Sequence, residues 1–379
     1  MAHAYTPGLK RKEATIVRKT RRLPIKGEVL VKKGQEVSPD DIVAVAEIPG
    51  ESKVVNVARL LNVEPDEIRD FLLKKEGDKV SKGEIIAGYK AFFGLFKSEC
   101  VAPTDGIIEH ISDVTGQVVI REPPVKIEVN AYIPGEVVDV LPGEGAVIET
   151  AAAFIQGIFG IGGERRGEIK LAVNSPKEIL TSEKIDSDAD GKVLIGGSLV
   201  TYDGIQKAIE VGARGIVVGG IEDRDLRKWL GYEIGVAITG HEDVPLTLIV
   251  TEGFGKMNMS DRTFEILKKF EGMEASISGA TQIRAGVVRP EIIVPRSDLD
   301  VNELRSIESG ETEFSQGMDI GTLVRIIRKP YFGAIGRVVS LPVEPQLIET
   351  GSKVRVVEVE LEDGRRVTVP RANVEIIEE

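Results

Sequence analysis

Basic and aromatic side chains are concentrated around one short segment near the C-terminus. They are Arg325, Arg328, Lys329, Tyr331, Phe332 and Arg337. Cationic groups contact phosphates and aromatic rings stack on bases, so this combination suits RNA. Residues 321–379 nevertheless contain nine Lys plus Arg and nine Asp plus Glu, and such a neutral region is equally compatible with a protein partner. Binding of RNA and binding of protein both remain open.

A second set of polar residues lies in the middle of the chain. Arg284 and Arg289 could clamp an anion, or could satisfy carboxylates of the next domain. His241, beside Glu242 and Asp243, is either a turn residue or a general base. The sequence contains no GxxxxGK[ST] phosphate loop and no recognisable set of nucleophile, base and oxyanion donors. We therefore predict no catalytic residue, with an enzyme site near these residues as an alternative.

The composition is that of a folded protein with several domains. A length of 379 residues suggests about two to four domains. The net charge of −12 argues against a surface that coats nucleic acid uniformly. Three histidines and one cysteine, without zinc spacing, predict no metal site, and we expect no cofactor. No apolar core follows the basic residues at the N-terminus, as it would in a secretory signal, and no apolar run is long enough for a spanning helix. We therefore expect a cytoplasmic location.

The N-terminal region is unevenly charged. Residues 10–33 contain ten Lys and Arg against two Glu, a local excess of 10 − 2 = +8. Residues 1–22 are predicted to form a basic arm. The arm would either keep the protein soluble or contact an anionic partner such as RNA, an acidic protein or lipid headgroups.

Residues 23–150 consist of short apolar runs that end at Gly, Pro or Asp, the pattern of many strands and turns. Two internal repeats occur in this region. Residues 33–44 align with 76–87 without a gap, and residues 106–120 align with 135–148 with one deletion. Residues 54–75 have helical spacing and are predicted to be a helical insertion that caps a β-sandwich.

Residues 23–48 and 74–148 resemble the barrel-sandwich hybrid fold of biotinyl and lipoyl domains, and of the unmodified domains of RnfC-type electron-transport subunits. The matching residues are Gly77, Asp78, Val80, Gly83, Ala102, Pro103, Asp105, Gly106 and Gly116. Carriers of this fold hold their cofactor on a lysine in a tight turn. Lys90 and Lys97 lack the flanking signature of that lysine, so the resemblance implies the fold without the attached group.

An aromatic segment stands where the carriers have that turn. Its apolar residues are Phe92, Phe93, Leu95 and Phe96. Side chains alternate between the two faces of a strand, so these residues cannot all point inward. The tip either docks on another domain of the chain or contacts a protein partner or a membrane surface.

Residues 151–295 alternate between strand and helix patterns, which predicts an α/β domain. Residues 191–221 have the pattern strand, helix, strand, with Gly212 ending the helix. A further helix is predicted to start at Ser260 and to stop at Gly272. Residues 296–319 are polar and are predicted to be a linker with a short helix.

Residues 320–379 resemble a KOW motif in an SH3-like barrel, as found in NusG-type transcription-elongation proteins and in some ribosomal proteins. The matching residues are Gly321, Val324, Ile326, Gly333, Gly336 and Val338. The family binds RNA or protein, so the resemblance implies a contact through the turn between the first two strands.

The sequence as a whole predicts a multidomain, β-rich α+β protein. The expected order is an N-terminal barrel-sandwich hybrid, a middle α/β domain and a C-terminal SH3-like β-barrel. The expected function is that of a non-catalytic adaptor, in which the KOW barrel contacts RNA, a ribonucleoprotein or a transcription assembly. The alternatives are an accessory subunit of a membrane-associated complex, anchored by the aromatic tip, and an enzyme with its site in the middle domain. A protein partner is expected both for the adaptor and for the accessory subunit.

Overall fold

The computed structural model describes residues 9–91, 96–232, 242–281, 288–311, 318–328, 330–331, 333–348, 352–361 and 363–378. These residues form a β-rich fold, as predicted, in which several sheets are accompanied by a few short helices. Four clusters of buried apolar side chains lie within the described part of the chain.

The N-terminal basic segment forms a strand and is not a free arm. Residues 9–22 form a long strand that pairs antiparallel with residues 145–155. Leu9 and Val17 of this strand are buried, and this burial holds the segment in the sheet. The prediction of an arm over residues 1–22 is corrected over this range, and residues 1–8 lie outside the described part.

The first β unit comprises residues 9–48 and 125–156. Its N-terminal strands are β1 (Leu9–Arg22), β2 (Glu28–Val29), β3 (Glu36–Val37) and β4 (Ile42–Ile48). Strand β4 lies between β2 and the strand that begins at Val125.

A nested unit, residues 52–121, is inserted after β4. Its elements are β5 (Ser52–Asn56), α1 (Val57–Leu61), a 3₁₀ helix (Pro65–Asp70), β6 (Lys79–Val80), β7 (Ile85–Ala91), β8 (Phe96–Val101), β9 (Gly106–Ser112) and β10 (Gln117–Arg121). The sheet order is β5-β10-β9-β6, and β7 and β8 form a hairpin. The predicted helical insertion at 54–75 is smaller than expected. Strand β5 occupies its start, and Asn62, at φ 55°, ends α1 after five residues.

The chain then returns to the first β unit. The remaining strands of this unit are β11 (Val125–Asn130), β12 (Gly135–Leu141) and β13 (Gly145–Gln156). Ile48 at the end of β4 pairs with Val125 at the start of β11. The nested unit therefore sits where a two-stranded hairpin would otherwise have its loop.

The two sequence repeats have matching structures in the two units. The N–H of Gly34 donates to Val137 O, and the N–H of Gly77 donates to Ile108 O, each at 2.8 Å. Both glycines have positive φ, at 81° and 90°. The first repeat therefore forms the same turn twice, and in each case the turn bonds to a strand of the second repeat.

The second repeat contains an equivalent close approach of two backbones. A Cβ on Gly135 would lie 2.1 Å from Glu149 O, and a Cβ on Gly106 would lie 2.3 Å from Arg121 O. A side chain at either position would overlap with the neighbouring backbone, which explains why both repeats have glycine there.

The two repeats belong to different hydrophobic cores. Ile148 lies in the core of the first β unit and Ile120 in the core of the nested unit, and both are fully buried. Residues 23–150 were predicted to be one domain. The structure instead places one β unit inside another, because the repeated sequences each close around their own apolar side chains.

Cys100 lies in the nested core and is 1% exposed. Burial raises the pKa of its thiol. Since the thiolate is the reactive form, we expect iodoacetamide to label the native protein at least about tenfold more slowly than the unfolded protein. Mass spectrometry of timed samples measures both rates, and equal rates would contradict the burial.

The α/β unit comprises residues 157–295. Its elements are β14 (Phe159–Ile161), β15 (Glu164–Leu171), β16 (Ile179–Leu180), 3₁₀ helices (Ser182–Lys184 and Ser187–Ala189), β17 (Val193–Ile195), β18 (Leu199–Val200), α2 (Tyr202–Glu210), β19 (Gly215–Ile221), α3 (Asp223–Leu230), β20 (Thr247–Phe254), α4 (Asp261–Lys269), β21 (Glu274–Ser278) and β22 (Glu291–Pro295). Strands β15, β17, β19 and β20 are parallel in that order. The predicted strand, helix and strand over 191–221 are confirmed. The Ser260 side chain caps α4, as predicted, by accepting from the N–H of Thr263.

The first β unit and the α/β unit share a strand. Strand β13 continues past residue 150, and its residues 152–156 pair with β22. No break in the chain separates the units at the predicted boundary.

The segment predicted to be a linker contains helix α5 (Val301–Glu311). Arg305 of α5 forms an ion pair with Glu149 at 2.5 Å, and the helix contacts β1 and β13. Residues 312–317 lie outside the described part.

The C-terminal unit comprises residues 318–378. Its elements are β23 (Leu323–Ile326), β24 (Ile335–Ser340), β25 (Gln346–Leu347), β26 (Lys353–Val354), β27 (Val356–Leu361), β28 (Arg366–Pro370), a 3₁₀ helix (Arg371–Asn373) and β29 (Val374–Glu378). The main strands are ordered β28-β27-β24-β23-β29. Leu9 and Lys10 of β1 pair in parallel with β29, which joins this unit to the first β unit.

Candidate functional site

Arg325 does not lie on the surface with the other predicted contact residues. It is on β23, and its side chain is 3% exposed. Its Nη1 lies 3.3 Å from Glu252 Oε2, and its Nη2 lies 2.7 Å from Glu375 Oε2. The prediction that Arg325 binds an external partner is corrected, because its charge is already matched inside the protein.

Arg325 belongs to a buried network between the α/β unit and the C-terminal unit. Arg289 forms an ion pair with Glu375, and the N–H of Ser260 donates to Glu252 Oε1 at 3.1 Å. Two arginines and two glutamates balance in charge, and each carboxylate accepts bonds from more than one donor. Such pairing offsets the cost of removing the charges from water.

Arg284 and Arg289 were predicted either to clamp an anion or to satisfy carboxylates of the next domain, and the structure shows the second for Arg289. This side chain satisfies a carboxylate of the C-terminal unit, Glu375, and is 11% exposed. Arg284 and His241 lie outside the described residues. Because two of these three residues lie outside the described part, the alternative of an enzyme site in the middle domain stays a prediction.

The remaining residues of the C-terminal set are only partly brought together. Arg328 and Arg337 are exposed, and Tyr331 packs in part against the core of the C-terminal unit. Arg337 Nη1 donates to Gly321 O at 3.1 Å. Lys329 and Phe332 lie outside the described residues.

Charges alternate across the outer face of the C-terminal sheet. Arg337 on β24 lies opposite Glu360 on β27, and Glu360 lies opposite Arg366 on β28. Glu360 and Arg366 form an ion pair at 2.7 Å. This row consequently gives no strong positive potential for a phosphate backbone.

Three apolar side chains of the same unit are exposed to solvent. They are Ile320, Val343 and Leu347, at 72%, 83% and 68% exposure. Contacts with other proteins commonly form at exposed apolar groups. These residues were not predicted from the sequence, because the apolar type alone predicts burial.

Several charges of the predicted basic arm are paired within the chain. Arg18 lies 2.5 Å from Glu149, Arg21 lies 2.6 Å from Glu164 and Lys19 forms an ion pair with Glu291. These carboxylates belong to residues more than a hundred positions away in sequence, so no local sequence pattern could predict the ion pairs. An anionic partner would compete with these internal pairs.

The aromatic tip is described only at its edge. Phe92, Phe93 and Leu95 lie outside the described residues, and of Phe96 only the backbone is placed, at the start of β8 opposite Ala91 of β7. The choice between a docked and an exposed tip stays a prediction.

Within the described residues, no group of three or more His, Cys, Asp or Glu side chains is arranged to hold a metal ion. None of the helices in the described part has both the length and the apolar character needed to cross a membrane. Comparison of the sequence with protein-family models and with curated proteins gives no match.

Proposed function

We propose that the protein is a non-catalytic adaptor whose C-terminal unit contacts a protein of a ribonucleoprotein or transcription assembly. The observation that carries this proposal is the position of Arg325. With its guanidinium buried, the described basic surface around the turn consists of Arg328 and Arg337, whereas exposed apolar side chains are available on the same unit. This balance favours protein contact over phosphate contact.

The finer fold assignments support the same proposal. The strand order β28-β27-β24-β23-β29, with a 3₁₀ helix before the last strand, agrees with an SH3-like barrel. Gly333 has φ 83°, and a Cβ on Gly336 would lie 2.3 Å from Glu360 O, as expected for the two KOW-type glycines. The two nested β units likewise agree with a duplicated barrel-sandwich hybrid.

An adaptor must hold its contact surfaces in a fixed orientation relative to one another. Strand β1 pairs with β13 and with β29, so it connects the first β unit to the C-terminal unit. The Arg325 network joins the C-terminal unit to the α/β unit. We propose that these connections keep the partner-binding face, which carries Ile320, Val343 and Leu347 of the C-terminal unit, in a fixed orientation.

The test is a pull-down of the tagged protein from native extract, with and without nuclease, followed by mass spectrometry. We expect ribosomal or polymerase subunits to be retained after nuclease treatment. The variant Val343→Ser/Leu347→Ser should lose most of the captured protein, because it removes exposed apolar contact area. The matched variant Arg328→Gln/Arg337→Gln should retain it.

The opposite pattern supports direct RNA binding instead. In that case nuclease releases the partners and the arginine variant loses them. Capture of no ribosomal or polymerase subunit under either condition would contradict the adaptor proposal.

A further inference from the structure

A polar cavity of about 290 Å³ lies where three units meet. Arg11 of β1 forms one wall. Lys177, Glu252, Asn258, Ser260 and Arg262 of the α/β unit form the second wall, and residues 333–335 of the C-terminal unit form the third. The volume lies at the lower end of the range for small-molecule sites.

Cationic groups from two units meet at this cavity. Arg11 is 2% exposed, and its Nη1 donates to Ser260 Oγ at 2.5 Å. Arg262 lies 2.8 Å from Glu13 and keeps 48% of its side chain exposed. Lys177 is exposed and forms no ion pair with any residue that the structure describes.

The carboxylates of the cavity leave this positive character largely intact. Glu252 is bonded to Arg325 and to the N–H of Ser260. Asp261 is exposed in the first turn of α4. Among the charged lining residues three are cationic and two are anionic. Glu252 is matched by Arg325 and Arg262 by Glu13, and neither partner lines the cavity, so Arg11 and Lys177 against Asp261 leave an excess of one positive charge.

The position in the sheet also favours an anionic ligand. Glu252 is near the carboxyl end of β20, and the following segment leads into α4. Ligands of open α/β sheets bind at the carboxyl ends of the parallel strands. The N-terminus of α4, capped by Ser260, adds a partial positive charge at the same place.

We propose that this cavity binds a small molecule that carries a phosphate group. Lys177 and Arg262 supply flexible cationic contacts at the opening, and Arg11 supplies a fixed charge at the wall. Because the walls belong to three units, the bound molecule stabilises their association. This inference is independent of the partner-binding face on the C-terminal unit.

The experiment measures thermal unfolding and calorimetric binding in a buffer without phosphate. The probes are inorganic phosphate and glycerol 3-phosphate, with glycerol and sodium chloride at equal ionic strength as controls. We expect both phosphates to raise the melting temperature in a saturable manner. Preference for glycerol 3-phosphate would assign the site to organic phosphates, and equal binding would assign it to the phosphate group alone.

Two variants at exposed positions locate the site without disturbing the core. Lys177→Gln and Arg262→Gln should each weaken binding about tenfold, because each removes a charge-assisted hydrogen bond. Lys82→Gln, an exposed lysine of the nested unit, should bind like the unchanged protein. The proposal is overturned by the absence of a phosphate effect beyond that of chloride, or by equal affinities in all four proteins.

Discussion

Replacement of Glu375 by alanine is expected to lower the free energy of unfolding by about 3 to 5 kcal/mol, because it leaves buried arginines without their shared carboxylate. Arg289 and Arg325 both pair with Glu375, and its side chain is 7% exposed. The side chains of Arg289 and Arg325 are only 11% and 3% exposed, so water cannot replace the lost carboxylate without a rearrangement. Urea unfolding followed by circular dichroism measures the loss.

The matched control is Glu360→Ala in the same unit. Glu360 pairs with Arg366, and their side chains are 42% and 70% exposed. Exposed pairs contribute at most about 1 kcal/mol, so the control should unfold almost like the original protein. Equal losses in the two variants would show that the buried network does not hold the units together.

The second large effect concerns the two equivalent isoleucines of the repeated units. Ile120→Ala and Ile148→Ala should each cost about 2 to 5 kcal/mol, because each leaves a cavity in a fully buried core. The two cores are separate, so the loss should be local in each case. A single core over residues 23–150 would instead respond to both changes in the same way.

Labelling of Cys100 under native conditions distinguishes these outcomes, because this thiol is in the nested core with Ile120. A loss of 2 kcal/mol in local stability should accelerate labelling by about thirtyfold in Ile120→Ala. Ile148→Ala should change the rate by less than about threefold, provided that the nested unit opens by itself. Similar acceleration in both variants would contradict independent cores.

Several local features of the fold could be predicted because their causes are local in sequence. Ser260 caps α4 through a bond to a residue three positions away. The equivalent turns at Gly34 and Gly77 require positive φ, so the repeat was visible as a pattern of glycines. The alternation of apolar strands and helices over 191–221 also depends on spacing along the chain.

The candidate sites were harder to predict, because they depend on which residues meet in space. Arg328 and Arg337 remained exposed, but Arg325 in the same segment turned inward to Glu252, 73 positions away. The polar cavity where the three units meet combines Arg11 with residues near 177, 260 and 334. These residues are too far apart in sequence to be found together in any short window. One signal was present, however: Glu252 stands at the end of an apolar strand, where a carboxylate needs a buried partner.

The sequence by itself determined the β-rich class, the repeats with their glycine turns, and helices α2 and α4, since each follows from backbone preference and apolar spacing over a few residues. Only the tertiary structure decided that residues 9–22 form a long strand paired with β13, that one β unit is nested in the other, and that Arg325 faces inward. The physical reason is that burial and ion pairing depend on distant partners. The same side chain is a surface contact or an internal link according to what the folded chain places beside it.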